Sequence, residues 1–197
     1  MRNGKLRSQL IIAAALPVLL ALICHSTEGA AHEVTVPQGR TLYIQIDHFA
    51  AFFNDDAENS NIAGGIGYAG RLGWRKEKWG VFVQFERDFW MVSEVDLDLV
   101  NGVLNFAAGA ERLSFKERVR SSIAFGTSTL MFDTVLDEAG TTGLFLDIRP
   151  IGLRWPVNRK VTLEVSPLSV TLLAPVLSDP GIRKIEYRTV LTLEVTL

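Results

Sequence analysis

The chain has 197 residues, 48% of them hydrophobic and 21% charged, with twenty Lys and Arg against twenty-two Asp and Glu. That length is one domain's worth, the apolar content excludes a disordered chain, and a net charge of −2 offers little to a nucleic acid. The single cysteine, Cys24, excludes an intrachain disulfide framework.

Residues 1–31 read as a secretory signal peptide. Arg2, Lys5 and Arg7 form a basic start, an apolar stretch runs from Leu10 to Cys24, and Gly29-Ala30-Ala31 supplies small residues for cleavage. The stretch is about fifteen residues, short of the roughly twenty that a spanning helix needs. Lipidation at Cys24 is disfavoured by the bulky Leu22-Ile23 before it. Removal of the leader leaves two histidines, His32 and His48, a short N-terminal segment over 32–41 and a β domain over 42–197.

Period-two alternation predicts eight strands, at 42–53, 62–74, 79–90, 99–113, 119–132, 143–155, 161–173 and 184–197. Soluble strands average about five or six residues, whereas strands tilted through a bilayer need about nine to eleven. Eight long strands with little between them predict an all-β, eight-stranded antiparallel up-and-down transmembrane barrel.

The second strand sets bulky Ile66, Tyr68, Leu72 and Trp74 on one face and Gly65, Gly67, Ala69, Arg71 and Gly73 on the other. A face of Gly and Ala coats a protein poorly against water, but it lines a narrow lumen that must hold large side chains. With a four-residue turn over 75–78, Trp74 pairs with Trp79, Gly67 faces Glu86 and Gly65 faces Asp88. The connections sort by charge as well. The first, third, fifth and seventh are long and acidic, with Asp55, Asp56 and Glu58 in the first and Glu94, Asp96 and Asp98 in the third. The others are short and basic: Arg75, Lys76 and Lys78; Lys116 and Arg118; Arg159 and Lys160. Trp74, Trp79 and Trp155 fall at the basic ends on the greasy face, where an aromatic girdle belongs.

The last strand places Ile185, Tyr187, Leu191, Leu193, Val195 and Leu197 on one face and Lys184, Glu186, Arg188, Thr192, Glu194 and Thr196 on the other. With this ending the chain resembles the small outer-membrane β-barrels of Gram-negative bacteria, the OmpA/OmpX/OmpW-like class, along its whole mature length. Closing on Leu197 instead of the usual Phe departs from that class mildly. The resemblance implies export to the outer membrane, a periplasmic N-terminus, short basic periplasmic turns and long acidic outer loops. It also implies partners in outer-membrane lipid and lipopolysaccharide, recognition of the last strand by the barrel assembly machinery, a monomer, no cofactor, and a structural, surface or small-solute role without catalysis. A soluble, lipocalin-like periplasmic barrel is the rival, and it requires the greasy face to point inward.

Alternation assigns to the lumen the acids Asp47, Glu86, Asp88, Glu111, Asp147, Glu164, Glu186 and Glu194 and the bases Arg71, Arg120, Arg149, Arg154, Lys184 and Arg188, with Gln45, Gln84, Asn101 and Asn105 among them. Such a set either plugs a narrow barrel with ion pairs or lines a polar path. No metal-ligand cluster, phosphate loop or nucleophile elbow is present in the sequence. Barrels that modify lipid A resemble the same class and use a His with a Ser near the outer rim. The candidates here are His48 and Ser93, although parity turns His48 toward lipid. Arg87 interrupts the greasy face near the outer end, suited either to a lipopolysaccharide phosphate or to snorkelling.

Strands six and seven share a break. Apolar parity flips at Pro150, between Leu144, Leu146, Ile148 and Ile151, Leu153, Trp155. It flips again at Pro167, between Val161, Leu163, Val165 and Leu168, Val170, Leu172. A turn over 156–160 would pair Trp155 with Val161, Arg149 with Pro167 and Pro150 with Ser166. The expectation is a bulged patch in the wall, serving either as a bend or as a lateral opening between lumen and lipid for an apolar molecule.

Overall fold

The computed structural model describes residues 40–54, 62–91, 100–132, 139–177 and 182–197. They form β1 (Arg40–Asn54), β2 (Ile62–Lys76), β3 (Trp79–Met91), β4 (Val100–Ser114), β5 (Val119–Phe132), β6 (Ala139–Pro156), β7 (Val161–Val176) and β8 (Ile182–Thr196). Every strand pairs antiparallel with its sequence neighbour, and β1 pairs with β8, so the sheet closes into an eight-stranded barrel. The leader and the acidic connections lie outside the described residues. No helix among those residues is long and apolar enough to cross a membrane.

The faces are those expected from alternation. Ile46, Tyr68, Leu72, Val81, Phe85, Phe125, Ile148 and Leu193 are exposed on the outside, while Gln45, Asp47, Glu86 and Arg188 are buried within. A soluble barrel needs the opposite arrangement, since burying apolar surface is what stabilises it in water. The greasy-inward rival is therefore set aside by the orientation of the side chains.

The bare face of β2 is filled from β1. Tyr43 pairs with Gly73 and Phe49 with Gly67, and a Cβ on either glycine would run into the ring of its partner. Phe82 lies over Gly109 in the same way, across β3 and β4. Small residues thus stand beside aromatic ones in neighbouring strands, which is how a narrow lumen accommodates large side chains.

Two registers differ from expectation by two residues. The β2–β3 turn is Glu77-Lys78 alone, with Glu77 at φ 54, so Lys76 pairs with Trp79, Trp74 with Val81, Ala69 with Glu86 and Gly67 with Asp88. The four-residue turn does not form because Arg75 stays in the strand, where it pairs with carboxylates inside the barrel. The longer β2 also draws Arg40 and Thr41 into β1, opposite Lys76 and Arg75. Between β6 and β7, Trp155 pairs with Leu163 and Pro156 with Thr162. Asn158 shortens that turn by accepting the backbone N–H groups of Lys160 and Val161, both at 2.8 Å. A shift of two preserves every face, because side chains alternate with period two.

The expected bulges are present. The β6–β7 ladder shifts between Ile148 and Ile151 and again before Leu153, and the β7–β8 ladder shifts between Ser166 and Ser169. Pro150 and Ile151 both face outward, as do Pro167 and Leu168, which is the parity flip in atomic form. Ile151 pairs with Leu168, so Arg149 does not stand opposite Pro167 as the longer turn would have had it. A hydroxyl from each flanking strand caps the defect. Ser121 Oγ donates to the Pro150 carbonyl at 2.6 Å, and Thr189 Oγ1 donates to the Pro167 carbonyl at 3.0 Å.

Candidate functional site: the ion-paired lumen

The interior is built in tiers. Nearest the short turns, Arg120 donates to Glu164 through Nε and Nη2 at 3.1 and 2.7 Å and reaches Glu194 at 3.2 Å and Glu111 at 3.4 Å. Arg75 joins the same acids, at 2.6 Å to Glu111 and 3.0 Å to Glu194, and Arg154 meets Glu194 at 2.6 Å. Gln45 donates to Glu194 at 2.7 Å. Three guanidinium groups and three carboxylates thus neutralise one another.

The middle tier spans the full diameter. Arg71 on β2 donates to Asp147 on β6, the strand diametrically opposite, at 3.2 Å. Arg149 bridges Asp147 and Asp47, both at 2.8 Å. Thr192 Oγ1 and Thr171 Oγ1 donate to the remaining oxygens of Asp47 and Asp147, at 2.7 and 2.9 Å.

In the third tier Arg188 holds Glu86, Asp88 and Glu186 at 2.8, 3.0 and 2.7 Å. Gln84 and Asn105 donate to Glu86, and Trp90 Nε1 donates to Glu186 at 3.0 Å. The Lys184 ammonium lies over the rings of Phe53 and Trp90. Beyond this tier, Phe53, Val103, Leu130, Phe145 and Leu173 are buried apolar side chains toward the loop end.

Seventeen of the eighteen residues assigned to the lumen from the sequence are buried inside, among them Asn105, Glu111 and Arg154. The side chain of Asn101 lies outside the described residues. Reading the sequence alone missed Arg75, which looked like a turn residue. The signal was there in the inward alternation Arg71, Gly73, Arg75. Thr192 was on the polar face of the last strand from the start, while Thr171, which completes Asp147, was missed.

His48 and Arg87 stand apart from the lumen. His48 faces outward between Tyr68 and Leu191 in the register, and Ser93 lies outside the described residues. Arg87 belongs to the outward face by parity but is only 8% exposed. Its Nη1 donates to the carbonyls of Asp88 and Val103, both at 3.2 Å, and its guanidinium covers the Phe89 ring. Beside it Gly102 adopts φ 115, where a Cβ would strike the Asp88 carbonyl. The arginine therefore folds onto a local irregularity of the wall. Among the described residues no group of His, Cys, Asp and Glu is arranged to hold a metal ion.

A closed eight-stranded barrel, apolar outside and ion-paired inside, is the architecture of the small outer-membrane barrels. Neisserial surface protein A (NspA) has the same fold, at 15% identity and a TM-score of 0.60 over 80% of this chain and 98% of that one. The chain is also similar to Ail, the attachment invasion locus protein of Yersinia pestis, solved in complex with the heparin analogue sucrose octasulfate. That match has 14% identity and a TM-score of 0.49, covering 81% of this chain and 99% of Ail. No family model and no curated protein matches the sequence.

Proposed function

We propose that the protein is a small outer-membrane β-barrel without enzymatic activity, a sealed scaffold that holds its acidic connections at the cell surface. The observation that carries this reading is the lumen. Three tiers of ion pairs and an apolar layer occupy it, and the charged side chains at its centre are buried almost completely. An ion entering would have to displace guanidinium–carboxylate pairs at 2.6–3.2 Å, leaving buried charges uncompensated. The greasy exterior and the turn-end tryptophans support placement in the membrane, with the turns toward the periplasm. The bulges at Pro150 and Pro167 are read as a bend. Immediately behind them stand Arg149, Glu164 and Ser166, a lining hostile to an acyl chain. Recognition of β8 by the assembly machinery and a monomeric state belong to the same proposal.

Two measurements test it. The purified full chain, refolded in detergent or vesicles, should migrate differently on SDS gels before and after boiling. In planar bilayers it should give no stable conductance steps. A soluble, non-shifting protein would overturn the barrel-in-membrane reading, and steady ohmic channels would overturn the sealed lumen.

A further inference from the structure

Among the described residues, every exposed lysine and arginine except Arg183 stands at the turn end of the barrel. Lys76 ends β2 and Lys78 lies in the first turn, Lys116 and Arg118 occupy the second, and Arg159 and Lys160 the third, against two acids, Glu77 and Glu117. Apolar side chains alternate with these charges. Trp79 is 62% exposed, with the Arg112 guanidinium over its ring at 5.3 Å, and Arg40 lies over Trp74 at 5.9 Å.

The second turn is unusual. Phe115, Lys116 and Glu117 all have positive φ, at 50, 55 and 65. That conformation is unfavourable for residues with a Cβ, and here it accompanies a Phe115 side chain 79% exposed, in the same turn as Lys116 and Arg118. Val157, 60% exposed, does the same on the third turn beside Arg159 and Lys160.

We infer that this rim is a binding surface for the headgroups of anionic phospholipids in the leaflet at the turn end. The inference rests on the membrane placement proposed above and goes beyond it, because it assigns a lipid class to one face. Two features select lipid over a soluble polyanion. The cations form a ring around the mouth at the level of the tryptophans, where a bilayer's phosphates lie, and each turn also offers an apolar group that gains by entering the acyl boundary. A Lys or Arg near an anionic membrane surface is attracted within about a Debye length and released by salt. Guanidinium groups held over indole rings are positioned to meet a phosphate in a forked arrangement.

The test uses the refolded full chain in mixed bilayers of phosphatidylcholine and phosphatidylglycerol. Either lipid carries brominated acyl chains, and quenching of tryptophan fluorescence reports which lipid contacts the turn end. Phosphatidylglycerol should be preferred by about threefold or more at low salt, with the ratio falling toward one at high salt. A variant carrying Lys116→Gln, Arg118→Gln, Arg159→Gln and Lys160→Gln should lose most of that preference while keeping its SDS-gel shift. A ratio of one for the unaltered protein, or one indifferent to salt, overturns the inference without recourse to the variant. Retention of the unaltered chain on isolated cell-wall sacculi, with no lipid preference, would overturn it in favour of a periplasmic polymer. If the unaltered chain shows no gel shift at all, the membrane reading itself fails.

Discussion

Removing one member of the tier nearest the turns should be costly, and removing two should cost less than the sum. Among the described residues, Arg120→Met deletes the one close cation on Glu164 Oε1, which it meets at 2.7 and 3.1 Å, leaving Ser166 at 3.3 Å and Arg154 at 3.5 Å. Glu111 and Glu194 are better protected, since Arg75 and Arg154 stay within 3.0 Å of them. The expected cost is therefore that of stranding one buried carboxylate, about 3–5 kcal/mol. Glu164→Leu should cost less, because Arg120 keeps Glu194 at 3.2 Å and Glu111 at 3.4 Å. The double variant should recover about 1.5–3 kcal/mol of the summed losses, the range of a charge-assisted hydrogen bond. Reversible urea unfolding in vesicles, followed by tryptophan fluorescence, measures all three. Strict additivity, or a loss under about 1 kcal/mol for Arg120→Met, would refute the view that the lumen is held by buried ion pairs.

Leu72→Arg places a charge on the outward face opposite Ile44 and Val83, and should cost about 2–4 kcal/mol in the same unfolding assay. Gly73→Val should cost about 1–3 kcal/mol because its side chain meets the Tyr43 ring, while Gly70→Ala, with nothing within 4 Å of a new Cβ, should lie close to the parent. At the paired bulges, amide exchange of Ile151 and Ser169 should outpace that of Phe145 and Leu146, and Ser121→Ala should quicken it further by removing the hydroxyl on the Pro150 carbonyl.

Strand number, strand faces and the proline defects were readable because they depend on local alternation. In β2 the sequence from Ile66 to Trp74 separates a bulky face from a bare one, and the bare face reads as the lining. Turn length was not readable. Arg75, Lys76 and Lys78 look like a charged loop, yet Arg75 is drawn inward by Glu111 and Glu194, residues 36 and 119 positions away. Pro156 looks like a breaker, yet it occupies the last place of β6, where a missing N–H costs little. Composition of the lumen was likewise legible while its partnerships were not. That Arg71 meets Asp147 depends on the stagger of the closed sheet, a property no single strand encodes. The rim of exposed bases, by contrast, was visible as a charge alternation between successive connections.

The ties from β2 to β6 and from β3 to β8 carry a consequence for the order of events during assembly. No hairpin contains both halves of such a tie, so a partly formed sheet displays its arginines and aspartates to water as ordinary solvated ions. Arg71 meets Asp147, and Arg188 meets Glu86 and Asp88, only when the β1–β8 seam shuts. A half-inserted sheet would hold these charges unpaired against lipid, at a free-energy cost that grows with each strand that enters. Entry into the bilayer and closure of the ring are thereby forced to coincide, and the same polar interior that keeps the unfinished chain soluble makes the finished cylinder reluctant to reopen.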